Sequence, residues 1–336
     1  MATRVAVDAM GGDQAPAVIV EGAVRAVRGA PDRLHVLLFG EEEAVGAELA
    51  HHDTDGLPIE VAHAPEAIGM GDAPAVALKA KRGSSVHLGL RALKAGEADA
   101  FASAGNTGAV MAAALFICGR LPGVLRPCVP GYFPTPDRLS IILDVGANVD
   151  VKAEHLVQFA QMGRIFARRV LDIEEPSIGL VNVGEEKGKG TDTVKEAYER
   201  LEALDDAGRL HFVGNVEGRD LFGRRTDVSV CDGFVGNALL KLGESFAATL
   251  PHIVEKEMAA LSVTEHEADL IRRVVRAAIH PFDHEAYGGV PLLGVDGVVV
   301  IGHGGSPAHA VEQMIYRAAE MVERNLTERI AEAFKE

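Results

Sequence analysis

The stretch Ser103–Leu115, SAGNTGAVMAAAL, opens with small and polar residues and runs straight into an apolar series of helix formers. It follows the apolar run Ala98–Ala102, so the order is strand, narrow loop, helix. Glycines in such a loop let the backbone approach a ligand closely, and the first turn of the helix offers N–H groups and a positive dipole end to an anion. The arrangement recurs at CDGFVGNALLKLGE (231–244) and GHGGSPAHAVEQMI (302–315), and AMGGD (9–13) follows the first apolar run.

Outward from these loops, short apolar runs alternate with longer amphipathic segments. Strands are expected at Arg4–Asp8, Leu34–Phe39, Ile59–Ala62, Ala98–Ala102, Ser140–Asp144, Ser177–Val183, Leu210–Val213, Asp227–Cys231 and Val298–Ile301. Their continuous Val, Ile and Leu content, without strict alternation, is that of parallel strands covered on both faces. Helices are expected at Pro16–Arg28, Asn106–Gly119, Ala153–Val170, Asp192–Leu204 and Ala308–Glu323. The fold class is α/β, a Rossmann-like, doubly wound, mostly parallel sheet.

From Asn237 to His280 only helical patterning appears, interrupted near Leu261–Thr264, which predicts a projecting helical hairpin over 238–280. In its second half, Leu270, Ile271, Val274, Val275, Ala278 and Ile279 form one apolar stripe, and Arg272, Arg273 and Arg276 lie off it. Those arginines are a solvated face, or a dock for an acidic partner or anionic lipid. Glu41–Glu43 and Glu174–Glu175 read as helix-start charge. Composition marks no domain boundary, so residues 1–336 are taken as a single catalytic α/β/α domain carrying the hairpin.

The 336 residues carry a formal charge of −16, which argues against a nucleic-acid partner because phosphate neutralisation needs a basic surface. Three cysteines without a CxxC fit a reducing cytosol. The N-terminus lacks a signal-peptide core, and the longest apolar run, Ala109–Cys118, falls short of the roughly 20 residues of a spanning helix. A cytoplasmic protein is expected. No metal is expected: Pro281 disrupts the helix that would align His280 with His284, and His51 and His52 point apart. No nucleotide cofactor is expected either. GHGGSP places Pro307 where the third glycine of a dinucleotide fingerprint belongs, and GEEKGKGT follows Lys189 with Gly190 where a P-loop has Ser or Thr.

In an open parallel sheet the ligand sits beyond the carboxyl ends of the strands. The loops are expected to wall one crevice and to offer Asp8, Gly11, Gly12 and Asp13; Ser103, Gly105, Asn106 and Thr107; Asp144 and Asn148; Lys187 and Lys189; Asp232 and Asn237; and Gly304, Gly305 and Ser306. The set has amides, carboxylates and lysines but no nucleophile with its own base, and Ser306 has a sufficient task as a helix N-cap before Pro307. A phosphate that itself attacks an activated acyl group suits such a site, because the protein then needs only to position it and stabilise the oxyanion.

The ordered motifs VAVDAMGGDQAP, ASAGNTGAVMAAAL, LDVGANVD, LVNVGEEKGKG, FVGNVEGRDLF, VCDGFVGNALLK and GHGGSPAHA span nearly the whole chain and resemble the phosphate acyltransferases of the PlsX family. The resemblance implies formation of acyl phosphate from long-chain acyl-acyl carrier protein and inorganic phosphate, an early step of phospholipid biosynthesis. It implies a fold similar to phosphotransacetylases and isopropylmalate-type dehydrogenases, a homodimer, and peripheral contact with the inner face of the cell membrane and with a glycerol-3-phosphate acyltransferase.

Carried over by position, the resemblance makes Lys189 and Asn237 catalytic, with Lys187 among the substrate-binding residues and Asp232 the first choice for proton transfer. The hairpin becomes a dimer element, and its tip near Met258–Val263 a membrane contact weakened by acidic flanks. Acidic carrier protein would dock on Lys79, Lys81, Arg82, Arg272, Arg273 and Arg276. A phosphotransacetylase acting on short acyl-coenzyme A, and a non-catalytic scaffold, remain the alternatives.

Overall fold

The computed structural model describes residues 2–135, 138–223, 225–282 and 287–335; His284 lies outside them. The chain begins with β1 (Thr3–Asp8), α1 (Ala17–Gly29), β2 (Leu34–Gly40), α2 (Glu42–Leu49), β3 (Ile59–His63), α3 (Pro74–Ala80), α4 (Ser85–Ala95), β4 (Ala100–Ser103) and α5 (Thr107–Ile117). It continues with β5 (Pro130–Pro134), β6 (Leu139–Leu143), α6 (Ala153–Val170), β7 (Ser177–Val181), α7 (Asp192–Asp206), β8 (His211–Val216), β9 (Val228–Val230), α8 (Gly233–Ala260) and α9 (Glu265–Ile279). The last elements are β10 (Val290–Pro291), β11 (Val298–Ile301), α10 (Ala308–Glu323) and α11 (Leu326–Ala333).

Contacts divide the chain into two compact units, Met1–Val129 with Tyr287–Glu336, and Pro130–Ala286. The first holds a sheet ordered β10-β11-β4-β1-β2-β3, parallel except for the β10–β11 pair. The second holds a sheet ordered β5-β6-β9-β7-β8, parallel except for β5–β6. All nine expected strands are present and the class is mostly parallel α/β, but they fall into two sheets where one was expected. The two strands not foreseen, β5 and β10, are the antiparallel edges, and both carry proline, which weakens a strand signal and confines a strand to an edge.

Apolar faces meet as the strand and helix patterns require. In the first unit, Val5 and Val7 of β1 are fully buried, as are Val20 and Val24 of α1 and Val311 and Ile315 of α10. In the second, Phe159, Met162 and Phe166 line one face of α6 and are fully buried with Ile141 of β6. Truncating either Phe to Ala removes contacts worth about 3–5 kcal/mol.

Helix ends follow local chemistry. Ser84 caps α4 through the N–H of His87, and Gly96 closes it in the left-handed region at φ 73°. Glu41 caps α2 as its charge suggested. Glu174–Glu175 do not start a helix: they precede Pro176 and strand β7, and a residue before proline is driven from the helical region. Ser306 is not an N-cap: α10 begins after Pro307 without a side-chain cap, and the Ser306 N–H closes a turn onto His303 O at 3.0 Å.

The hairpin forms from α8 and α9, with Thr264 and Glu267 making a reciprocal capping box at the start of α9. The expected single stripe is split. Ile271, Val275 and Ile279 are half-buried, while Leu270 and Val274 are exposed. Arg272 is not off the stripe in solvent, because it pairs with Glu255 at 2.8 Å and Glu265 at 3.0 Å. Among the described residues no helix is long and apolar enough to cross a membrane.

Candidate active site

In the first unit β11, β4 and β1 are neighbours, so the loops 302–306, 103–107 and 9–13 leave one carboxyl edge together. Asp8 ends β1 almost fully buried. Its Oδ2 accepts the Ser103 hydroxyl at 2.7 Å, its Oδ1 accepts the Met10 N–H at 3.2 Å, and the Ser103 oxygen in turn accepts the Gly105 N–H at 3.0 Å. Burial pushes the Asp8 carboxyl above its ordinary range, against these hydrogen bonds. A side chain at Gly11 would overlap that carboxylate, so the two loops touch only because Gly stands there.

Asp13 N–H donates to Gly304 O at 2.8 Å, and Gly305 N–H to His303 Nδ1 at 3.2 Å. Asn106 caps α5 through the N–H of Ala109 and donates its amide to Met70 O and Asp72 O at 2.9 and 3.0 Å. Thr107 and Asp13 are exposed and Gly12 is half-buried. Asp8, Ser103 and Asn106, expected to touch substrate, thus brace the loops, while Gly12, Asp13, Thr107, Gly304, Gly305 and Ser306 form the accessible edge.

In the second unit β6, β9 and β7 are neighbours, and the loops 144–148, 232–237 and 182–190 share their carboxyl edge. Asp144 is fully buried, and its Oδ2 accepts the Asn148 N–H at 2.6 Å and the Asn148 side-chain amide at 3.1 Å. Gly233 N–H donates to Asn148 O at 2.7 Å, which seats the start of α8 on this loop. Asp232 caps α8 with Oδ1 on the Val235 N–H at 2.9 Å, and its other oxygen makes no hydrogen bond among the described residues. Asn237 is exposed one turn into α8, and a Cβ added at Gly146 would lie 3.9 Å from its side chain. The buried Cys231 thiol next to Asp232 is pushed well up, by burial above all, and is no nucleophile.

The two loop lysines part company. Lys187 pairs with Glu202 and lies 5.4 Å from the ring centre of Tyr198, which raises its pKa and turns it toward α7. Lys189 is exposed, and its ammonium makes no ion pair or hydrogen bond among the described residues. Its main chain is held: Lys189 N–H donates to Glu186 O at 3.0 Å, and Lys189 O accepts the Asn182 amide at 3.1 Å. Asn182, at the head of the loop, was not singled out in the sequence, where an Asn directly after a strand and before glycines was the available signal. Among the described residues no cluster of three metal-ligating side chains occurs.

The family model described as "Fatty acid synthesis protein" matches residues 3–329. A Salinibacter ruber protein named phosphate acyltransferase is 49% identical over 335 residues, 99% of this chain and 98% of that one. A Chlorobaculum parvum protein of the same name is 47% identical over 336 residues, 97% of each. Among solved structures, a phosphotransacetylase from Streptococcus pyogenes has a TM-score of 0.62 at 16% identity, covering 96% of this chain and 94% of that one. EutD phosphotransacetylase from Staphylococcus aureus has a TM-score of 0.59 at 16% identity, with the same coverages. The class is thus an α/β enzyme with phosphotransacetylase architecture. Within it, the chain belongs to the fatty acid synthesis protein family, the PlsX family, whose relatives above are named phosphate acyltransferase.

Proposed function

We propose that the protein forms acyl phosphate from long-chain acyl-acyl carrier protein and inorganic phosphate. Family membership over 3–329 and relatives named phosphate acyltransferase support the reaction. The observation that carries the assignment of residues is the loop 182–190, in which Lys187 is tied to Glu202 while Lys189 keeps an unpaired ammonium on a hydrogen-bonded main chain. A cation so presented lowers the energy of charge developing on a carbonyl or phosphate oxygen.

In the reaction a phosphate oxygen attacks the thioester carbonyl carbon, the C–S bond breaks, and the carrier's thiol leaves with a proton. Lys189 and Asn237 orient phosphate or stabilise the oxyanion, and the unbonded oxygen of Asp232 handles the proton. Asp144 and Asn148 hold the start of α8 in place for Asp232 and Asn237. In the glycine loops of the first unit the main-chain amides of Asp13, Gly105, Gly305 and Ser306 are engaged within the loops, which leaves those of Gly12, Thr107 and Gly304 as amides of the kind that receive phosphate oxygens. Residues 1–336 act as one catalytic chain without metal or organic cofactor.

Carrier protein docking falls to Lys79, Arg82, Arg273 and Arg276, because Lys81 is held by Asp72 at 2.6 Å and Arg272 by Glu255 and Glu265. The hairpin at 238–280 serves a second copy of the chain, or the membrane face where a glycerol-3-phosphate acyltransferase takes the product. Exposed Leu242, Phe246, Ile253, Leu270 and Val274 on the two hairpin helices are the apolar side chains that support this use. Met258 is buried, so Leu261 and Val263 carry the tip.

The test is thiol release from purified long-chain acyl-acyl carrier protein with and without inorganic phosphate, with mass detection of acyl phosphate. Phosphate-dependent release with acyl phosphate formed is the expected result. Release without phosphate would mean a thioesterase, and turnover of acetyl-coenzyme A alone would mean a short-chain phosphotransacetylase.

A further inference from the structure

Asn215 sits inside β8, in the stretch Phe212-Val-Gly-Asn-Val, and is 1% exposed. The β7–β8 pairing runs Ser177 to His211 and Ile178 to Phe212, then Leu180 to Asn215 and Val181 to Val216. Val213 and Gly214 therefore stand opposite Gly179 alone, and Gly214, at φ 88°, supplies the left-handed backbone of this bulge. Without the extra residue Gly214 would pair with Leu180, and Asn215 would point to the other face of the sheet. With it, Asn215 shares the face of Phe212, whose ring packs edge-on against Tyr198 of α7 at 5.1 Å. The chain crosses that same face on its way from Val181 to α7.

There the Asn215 amide nitrogen donates to Glu186 O at 3.0 Å. The same oxygen accepts the Lys189 N–H at 3.0 Å, so one carbonyl both closes the lysine's turn and is pinned to the sheet. A carbonyl partner requires the donor end of the amide, which fixes its orientation. Its other end, Oδ1, is buried without a partner among the described residues. An apolar residue would satisfy the core better than a half-satisfied amide, so the residue is not explained by stability.

We propose that Asn215, aimed by the bulge at Gly214, is a positioning residue for Lys189: it fixes the turn from which the ammonium meets the anionic reactant. The inference rests on the role of Lys189 given under Proposed function. The experiment is a four-way cycle on the full chain, with Asn215→Asp, Lys189→Ala and their combination read by phosphate-dependent acyl phosphate formation and by amide exchange at Lys189. Asn215→Asp keeps the size but sets an acceptor against the Glu186 carbonyl.

The expected result is a loss in kcat of roughly 10- to 100-fold, as for a small displacement of a catalytic group. The same change in the Lys189→Ala background is expected to cost less than about twofold, because residues acting as a unit are not additive. Exchange at the Lys189 amide is expected to rise roughly tenfold while the amides of Ile178 and Leu180 stay protected. Equal losses in both backgrounds, or unchanged exchange at Lys189, would overturn the positioning role. A Lys189→Ala enzyme with near-normal kcat would overturn the reading of the lysine itself, with the exchange arm still deciding what Asn215 holds. If Asn215→Asp does not fold, Asn215→Ser, which loses the reach without adding charge, runs through the same measurements.

Discussion

Lys187 and Lys189 differ by two positions and by everything that surrounds their ammonium groups. Lys187 is bound to Glu202 on the solvent side of α7, an exposed ion pair of the kind that contributes little to stability. Lys187→Met is therefore expected to change kcat by no more than about fivefold, while Lys189→Ala is expected to lower it by about 10²–10³. Steady-state rates of acyl phosphate formation separate the two. The cysteines make a second residue-level prediction. All three are buried, and burial pushes the Cys118 thiol up to about 11 and Cys231 well above its ordinary value. A thiol-specific chromogenic reagent at pH 7.5 is expected to find almost no reactive thiol in the native chain and all three after denaturation. Asp8 and Asp144 were legible as loop-end carboxylates, yet both turn inward and hold loops together. Residue type and spacing place such a carboxylate at a strand end; which way it points depends on the partner it finds, Ser103 of the neighbouring strand for Asp8 and Asn148 of the same loop for Asp144.

The second hairpin helix begins TEHE, and both halves of its capping box form: Thr264 Oγ1 accepts the Glu267 N–H at 3.4 Å, and Glu267 accepts the Thr264 N–H at 2.9 Å. Thr264→Ala is expected to cost about 1 kcal/mol, the usual value of a lost N-cap hydroxyl. The hydrogen bonds to Thr264 hold the Glu267 carboxyl below its ordinary 4.5. A depressed folded value means that its contribution is full above 4.5 and is lost as pH falls through the lower folded value. Urea midpoints of the wild type and Thr264→Ala, followed by helical signal, are expected to differ more at pH 6 than at pH 3. Elements with strong local signals were readable in this way: Ala153–Val170 and Ala308–Glu323 match their expected bounds. The edge strands β5 and β10 were not, because Pro130, Pro134 and Pro291 erase the propensity that would mark them and only a partner strand makes them extended.

Over the whole chain, the second sheet and its helices are one uninterrupted segment inserted between the two parts of the first unit. It carries its own five-stranded sheet and its own buried residues, including Phe159 and Phe166. Residues 130–286 expressed alone are expected to fold, with cooperative thermal unfolding by circular dichroism; a gradual, featureless melt would show that this core depends on the rest of the chain. Composition does not mark the boundaries, which fall beside the antiparallel edge strands β5 and β10, whose prolines hide them. Periodicity and capping residues were enough for the α/β class, the strand-loop-helix order and the identity of the glycine loops, because those depend on contacts a few residues apart. The division into two sheets, the inward turn of Asp8 and Asp144, the pairing of Lys187 but not Lys189, and the bulge that aims Asn215 came from strand register and packing. Each depends on which side chains register and packing bring together, from Asn148 four positions after Asp144 to Ser103 far along the chain from Asp8, and no local pattern records which of them will meet.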